Sequence, residues 1–98
     1  MAFQVIWSPA ANIDLADLAT YIAEYDAIVA GAFVRNIFRA VERLPIFPSS
    51  GRTVPEFSDP AIREVIKRPC RIVYRVKETE QIVEIARVWH AARGIPKL

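Results

Sequence analysis

The chain has 98 residues, 53% of them hydrophobic, with a formal net charge of +2 and one cysteine, which points to a single domain, residues 1–98, built on one core. Cys70 has no partner for an intramolecular disulfide, no histidine, cysteine and carboxylate cluster suggests a metal site, and nothing in the sequence asks for a cofactor. No window approaches about 18 uninterrupted apolar residues and the N-terminus lacks the basic, then apolar, pattern of a signal peptide, so neither membrane spanning nor export is indicated and a cytoplasmic location is expected.

In chain order, FQVIW (Phe3 to Trp7) is a short β-prone run stopped by Ser8-Pro9, a pair suited to capping and opening a helix. Leu15, Leu18, Ala19 and Ile22 then follow helical spacing, with Asp14, Asp17, Tyr21 and Glu24 on another face. Asp26 is placed to cap a second helix, in which Ala30, Phe33, Val34, Ile37, Val41 and Leu44 keep the same spacing up to Pro45. The two helices form a hairpin of roughly 16 and 18 residues. Gly31 inside the second helix suggests close backbone contact with a neighbour.

Pro45 to Pro60 holds four of the seven prolines and reads as a connecting loop. Beyond it, IREVIK and CRIVYRV alternate in sidedness, KETE is a polar turn, and QIVEIARVWH is a longer β-branched run. The fold class expected is α+β: an N-terminal strand and a helical hairpin packed on one face of a small twisted antiparallel sheet. Leu15, Leu18, Ile22, Phe33, Val34, Ile37, Val41, Ile72 and Tyr74 should form the interface between hairpin and sheet. The other face should be open and basic, carrying Arg71, Arg75 and Lys77, with Arg63 and Lys67 on the preceding strand.

The charge is uneven, −2 over residues 1–50 and +4 over residues 51–98, so the C-terminal half is the candidate for meeting phosphate or an acidic protein. Three side chains there could cleave a phosphodiester: Glu56 as base, Arg71 to meet charge developing on phosphorus, and His90 as acid for the leaving oxygen. Alternation gives Glu84, Ala86, Val88 and His90 one parity, so the histidine ring should project from the same face as Glu84. Arg63, Arg75 and Arg93 would hold nucleic-acid phosphates, and an RNA substrate brings its own 2′-hydroxyl nucleophile, so no metal is required. Arg35, Arg39 and Arg43 make a solvated stripe on the second helix or a partner surface.

The blocks WSPAANIDLADLATYIAEYDA, FPSSGRTVPEF, IREVI, CRIVYRV and VEIARVWHAAR, in this order between Phe3 and Arg93, resemble the RelE/ParE superfamily of toxins from bacterial type II toxin-antitoxin modules. The resemblance implies a toxin that arrests growth and is restrained by a cognate antitoxin protein. It also implies two candidate targets: ribosome-bound messenger RNA, cleaved by RelE and YoeB-like members, or DNA gyrase, poisoned by ParE members. A chain that only binds antitoxin is a third alternative. Glu56, Arg71 and His90 match the YoeB-like catalytic positions. Ala91 stands where that branch tends to end in an aromatic residue, the lysine-rich loop of RelE is absent, and the long hairpin resembles the ParE branch, which is therefore the favoured reading. An antitoxin segment that orders on binding would use an exposed apolar patch on the hairpin and last strand, with Phe38 and Trp89 as anchors.

Overall fold

Two side-chain caps set where the helices begin. In the computed structural model, which describes residues 2–98, β1 (Gln4–Trp7) ends at Ser8, whose Oγ accepts from the Ala11 N–H at 3.0 Å and opens α1 (Pro9–Ala23). The same hydroxyl donates to the Ala86 carbonyl at 2.8 Å, so the cap also ties the helix to the sheet. Asp26 Oδ1 accepts from the Ile28 and Val29 N–H groups at 2.9 and 3.1 Å and opens α2 (Ala27–Ala40). This second helix is shorter than its apolar spacing predicts. Regular geometry is lost at Val41 (φ −103°, ψ 0°) and the chain runs on as turns, because Pro45 disfavours helical geometry at Leu44 and has no N–H to offer the preceding turn.

Among the described residues the sheet has five strands in the order β1-β5-β4-β3-β2, with β2 (Arg52–Thr53), β3 (Ile62–Lys67), β4 (Cys70–Lys77) and β5 (Ile82–His90), followed by a 3₁₀ turn at Ala91–Arg93. The α+β class and the hairpin on one face stand as expected, and the short β2 lies inside what reads from sequence as loop. The sheet is mixed, not wholly antiparallel: β1 pairs parallel with β5, from Gln4 opposite Ile82 to Trp7 opposite Ile85. The intervening hairpin and meander bring the chain back in the direction in which it left, so the strand that closes this edge has to run parallel.

Register corrects the expected sidedness in two places. Directly opposed residues share a face, and Arg63 stands opposite Tyr74 while Lys67 stands opposite Cys70, so both basic residues fall on the helix-covered side of the sheet. Between β4 and β5 a bulge leaves Ala86 unpaired: Tyr74 is opposite Ile85 and Val73 opposite Arg87. The extra residue inverts the alternation, so Glu84 pairs with Arg75 on the second face and His90 pairs with Cys70 on the first.

Ile37, Leu44, Ile72, Tyr74, Val83 and Ile85 are fully buried between hairpin and sheet, and Leu15 and Val41 are buried with them. Leu18, Phe33 and Val34 pack on this cluster half-buried; Ile22, also half-buried, lies outside it, since the hairpin tip outruns the sheet and leaves Tyr25 and Ile28 exposed. Close backbone contact occurs at Gly51, where a Cβ would lie 2.6 Å from both the Glu64 carbonyl and Tyr74 Oη. At Gly31 the expectation of such contact fails, as a Cβ would meet only the Arg35 guanidinium at 3.4 Å. Tyr74 Oη accepts from the Gly51 N–H at 3.0 Å and donates to the Pro48 carbonyl at 2.7 Å, pinning the loop before β2 to the core. Ile37→Ala should lower unfolding free energy by about 2 to 5 kcal/mol in urea denaturation, and Leu18→Ala by less, because its site is open on one side and can relax.

Candidate functional site

Glu64 is the fixed point of the second face. It sits in β3 between Ile62 and Ile66 on the same side, with its side chain wholly buried, and two arginines neutralise it. Arg52 Nε donates to Oε2 at 2.7 Å from β2, and Arg71 Nε donates to Oε1 at 2.7 Å from β4, with Nη2 to Oε2 at 3.2 Å. The outer edge of Arg71 then meets Glu56 in a parallel pair, Nη1 to Oε2 at 2.8 Å and Nη2 to Oε1 at 2.7 Å. The four side chains form a chain of alternating charge across three strands and a loop.

This chain borders a cleft of about 630 Å³ whose lining includes Glu56, Arg71 and His90, the three residues singled out as a phosphodiester-cleaving set. The structure brings them to one cleft, in states set by their neighbours. Hydrogen bonding to Arg71 holds the Glu56 carboxyl down to about 2, from an ordinary value of 4.5, despite its partial desolvation. Glu56 and then Glu64 push the Arg71 guanidinium up, and its charge is met on two edges. His90 Nδ1 accepts from the Ala92 N–H at 3.1 Å as the cap of the 3₁₀ turn, which leaves the ring hydrogen of the neutral imidazole on Nε2. Cys70 lines the same cleft as a buried thiol whose pKa burial raises, with Asp14 adding to the shift, so it stays protonated.

The other predicted residues are dispersed. Arg63 donates to the Ser49 and Gly51 carbonyls at 3.2 and 3.0 Å and so braces the loop beneath Tyr74, instead of facing a nucleic acid. Arg75 donates to Glu84 at 3.0 Å further along the second face. Arg93 lies over the Trp89 ring, 4.0 Å from its centroid, with Arg87 at 4.8 Å. Trp89 is only 1% exposed and its indole N–H donates to the Gly94 carbonyl at 3.1 Å, so its expected role as an exposed anchor fails: the C-terminal segment crosses the second face and covers it. Arg87 Nη1, donating to the Lys97 carbonyl at 2.8 Å, holds that segment down, and the second face is open only in part. Phe38 is 47% exposed beside Trp7, ring centroids 5.2 Å apart, and remains accessible on the hairpin.

Two carboxylates escaped the sequence reading. Asp14 accepts from Arg87 Nε and Nη2 at 2.8 Å each and from the Val88 N–H at 3.0 Å, joining α1 to β5. Glu64 carries a visible signal, a lone acid between Ile62 and Ile66 at strand spacing; Asp14, read as part of a polar face, carries only its place beside Leu15 and Leu18. Among the described residues no group of three or more histidine, cysteine or acidic side chains is arranged to hold a metal, and no helix is long and apolar enough to cross a membrane.

Because the Glu56 carboxyl lies lower in the folded state than unfolded, its ion pair contributes stability that is fully present above pH 4.5 and lost as pH falls towards about 2. The melting-temperature gap between wild type and Glu56→Gln should therefore be widest above pH 4.5 and close across this window. Added salt should narrow it, since Glu56 is partly exposed.

Among solved structures, the chain is similar to the chromosomal ParDE toxin-antitoxin system from P. aeruginosa, with a TM-score of 0.73 and 23% identity over 91% of this chain and 96% of that one. It is also similar to the toxin-antitoxin complex RelBE2 from Mycobacterium tuberculosis, with a TM-score of 0.57 and 20% identity over 92% and 99% of the two chains. A metal-bound toxin from Helicobacter pylori aligns with a TM-score of 0.58 and 20% identity over 95% and 99%. At these identities the likeness is one of fold. No curated protein matches the sequence. The family model for the ParE toxin of the type II toxin-antitoxin system, parDE, matches residues 5–95, and the chain belongs to that toxin family.

Proposed function

We propose that this toxin arrests growth by binding DNA gyrase in the cytoplasm, and that a cognate antitoxin restrains it by covering exposed apolar residues of the hairpin, Phe38 among them. The observation that carries the reading is the closed state of Arg71, whose outer edge is already filled by Glu56. A nuclease needs the base free and near neutral pKa, and an arginine turned to the scissile phosphate. Here the base lies near 2 and the arginine is neutralised twice. An inhibitor that works by contact asks for none of this. It asks for a firm surface, and the hairpin offers Tyr21, Tyr25, Ile28 and Val29 exposed at its tip. The match to the ParE family model supports the same branch.

The ribosome-dependent endoribonuclease is kept as the second reading for one reason: Glu56, Arg71 and His90 line a single cleft. His90→Gln and Glu56→Gln separate the two. Both should keep wild-type growth arrest at matched soluble expression, without messenger RNA cleavage and with induction of the DNA-damage response. Purified toxin should inhibit supercoiling by gyrase equally in all three forms. Wild-type cleavage of messenger RNA that falls by roughly 10² to 10⁴ in folded His90→Gln would overturn the gyrase reading.

A further inference from the structure

The two carboxylates on Arg71 differ in how firmly they are held. Glu64 is wholly buried and clamped from its other side by Arg52, so its departure would strand a charge inside the sheet. Glu56 lies in the turn closed by the Phe57 N–H on the Val54 carbonyl, its side chain is 27% exposed, and among the described residues the one side chain it bonds is Arg71. It is the member free to move. With Glu56 turned out, the outer edge of Arg71 faces the cleft alongside Arg52 and Arg68, and among the described residues the one carboxylate still paired with these three guanidinium groups is Glu64.

We propose that this cleft is a receptor for an acidic side chain of a partner protein, and that Glu56 fills the receptor as an internal stand-in while the partner is absent. Glu56 already displays the geometry the incoming group would adopt, a parallel two-bond contact with the guanidinium edge. The walls favour a peptide over a nucleic acid. Pro55, Ile66, Pro69 and Ala91 offer apolar contact to residues flanking the acid, whereas unpaired bases are held by stacking on exposed rings. Trp89, the neighbour of His90 in β5, is sealed beneath Arg93, and His90 is tethered to Ala92. Exchange of one carboxylate for another leaves the bonds on Arg71 unchanged in number. Affinity then comes from apolar burial and from Arg52 and Arg68, against a tethered competitor present at high local concentration. The inference is independent of gyrase as the target.

The test is fluorescence anisotropy of full-length toxin with three labelled probes: a blocked peptide of alternating leucine and glutamate, its leucine and glutamine counterpart, and a uridine oligonucleotide. The acidic peptide should bind Glu56→Ala about tenfold more tightly than wild type, because the internal competitor is gone. The glutamine peptide should bind neither form. Arg68→Gln, a change at an exposed residue that lines the cleft, should weaken the acidic peptide several-fold and keeps the test decisive if Glu56→Ala is poorly folded. Equal affinity of wild type and folded Glu56→Ala for the acidic peptide, no effect of Arg68→Gln, or a preference of Glu56→Ala for the oligonucleotide would each overturn the proposal. Supercoiling assays with gyrase are untouched by any of these results, so failure here is distinct from failure of the target reading.

Discussion

A carboxylate with no exposed surface must be neutralised where it lies, and much of the second face is arranged around this need at Glu64. Arg52 reaches it from β2, a strand of two residues whose backbone pairing alone is slight, so the ion pair helps hold that strand on the sheet. Arg71 reaches it from β4 and is thereby fixed in plane, with its outer edge turned to Glu56 at the border of the cleft. On the other face Tyr74 and Arg63 grip the loop through the Pro48, Ser49 and Gly51 carbonyls and the Gly51 N–H. The segment that carries Glu56 is thus anchored from both sides of the sheet before it reaches the cleft. The absence of a Cβ at Gly51 is what lets the two anchors come this close.

A second constraint operates at the opposite edge. β1 stops at Trp7, opposite Ile85, and beyond it β5 would present unpaired backbone groups to solvent. Ser8 takes the Ala86 carbonyl and Asp14 takes the Val88 N–H, so the first turns of α1 complete the edge with side chains where no strand continues. Asp14 also fixes Arg87, which holds the C-terminal segment through the Lys97 carbonyl; that segment in turn seals Trp89. One aspartate therefore links the start of the first helix to the closing of the second face.

Local chemistry was legible in the sequence and long-range pairing was not. Ser8 and Asp26 act on donors two or three residues away, and the helical stripe through Leu15, Ile37 and Val41 needs only the 3.6-residue period, so both could be read directly. Glu56, Arg71 and His90 could be singled out by the chemistry of their side chains and by resemblance, but it is the fold that brings them to one cleft, since 34 positions of chain separate the first from the last. The bulge at Ala86 left no mark, because an alanine in a β-branched run looks like any other strand residue, yet it decides the side on which Trp89 and His90 emerge. Trp89 reads as an anchor only while the segment after it is taken as a loose end. The burial of Glu64 depended on Arg52 in a strand too short to show periodicity.

Glu56, Arg71 and Glu64 with Arg52 sum to zero charge, and this bears on what the cleft can do chemically. A cleft that stabilises a phosphorane needs net positive charge turned toward the phosphate and a base able to accept a proton near neutral pH. In this chain a loop carboxylate closes the outer edge of the arginine that the buried glutamate holds, so that base and cation are paired with one another. What distinguishes the two states is whether the counter-charge on Arg71 comes from within the chain or from a molecule that enters the cleft, and in this chain it comes from within.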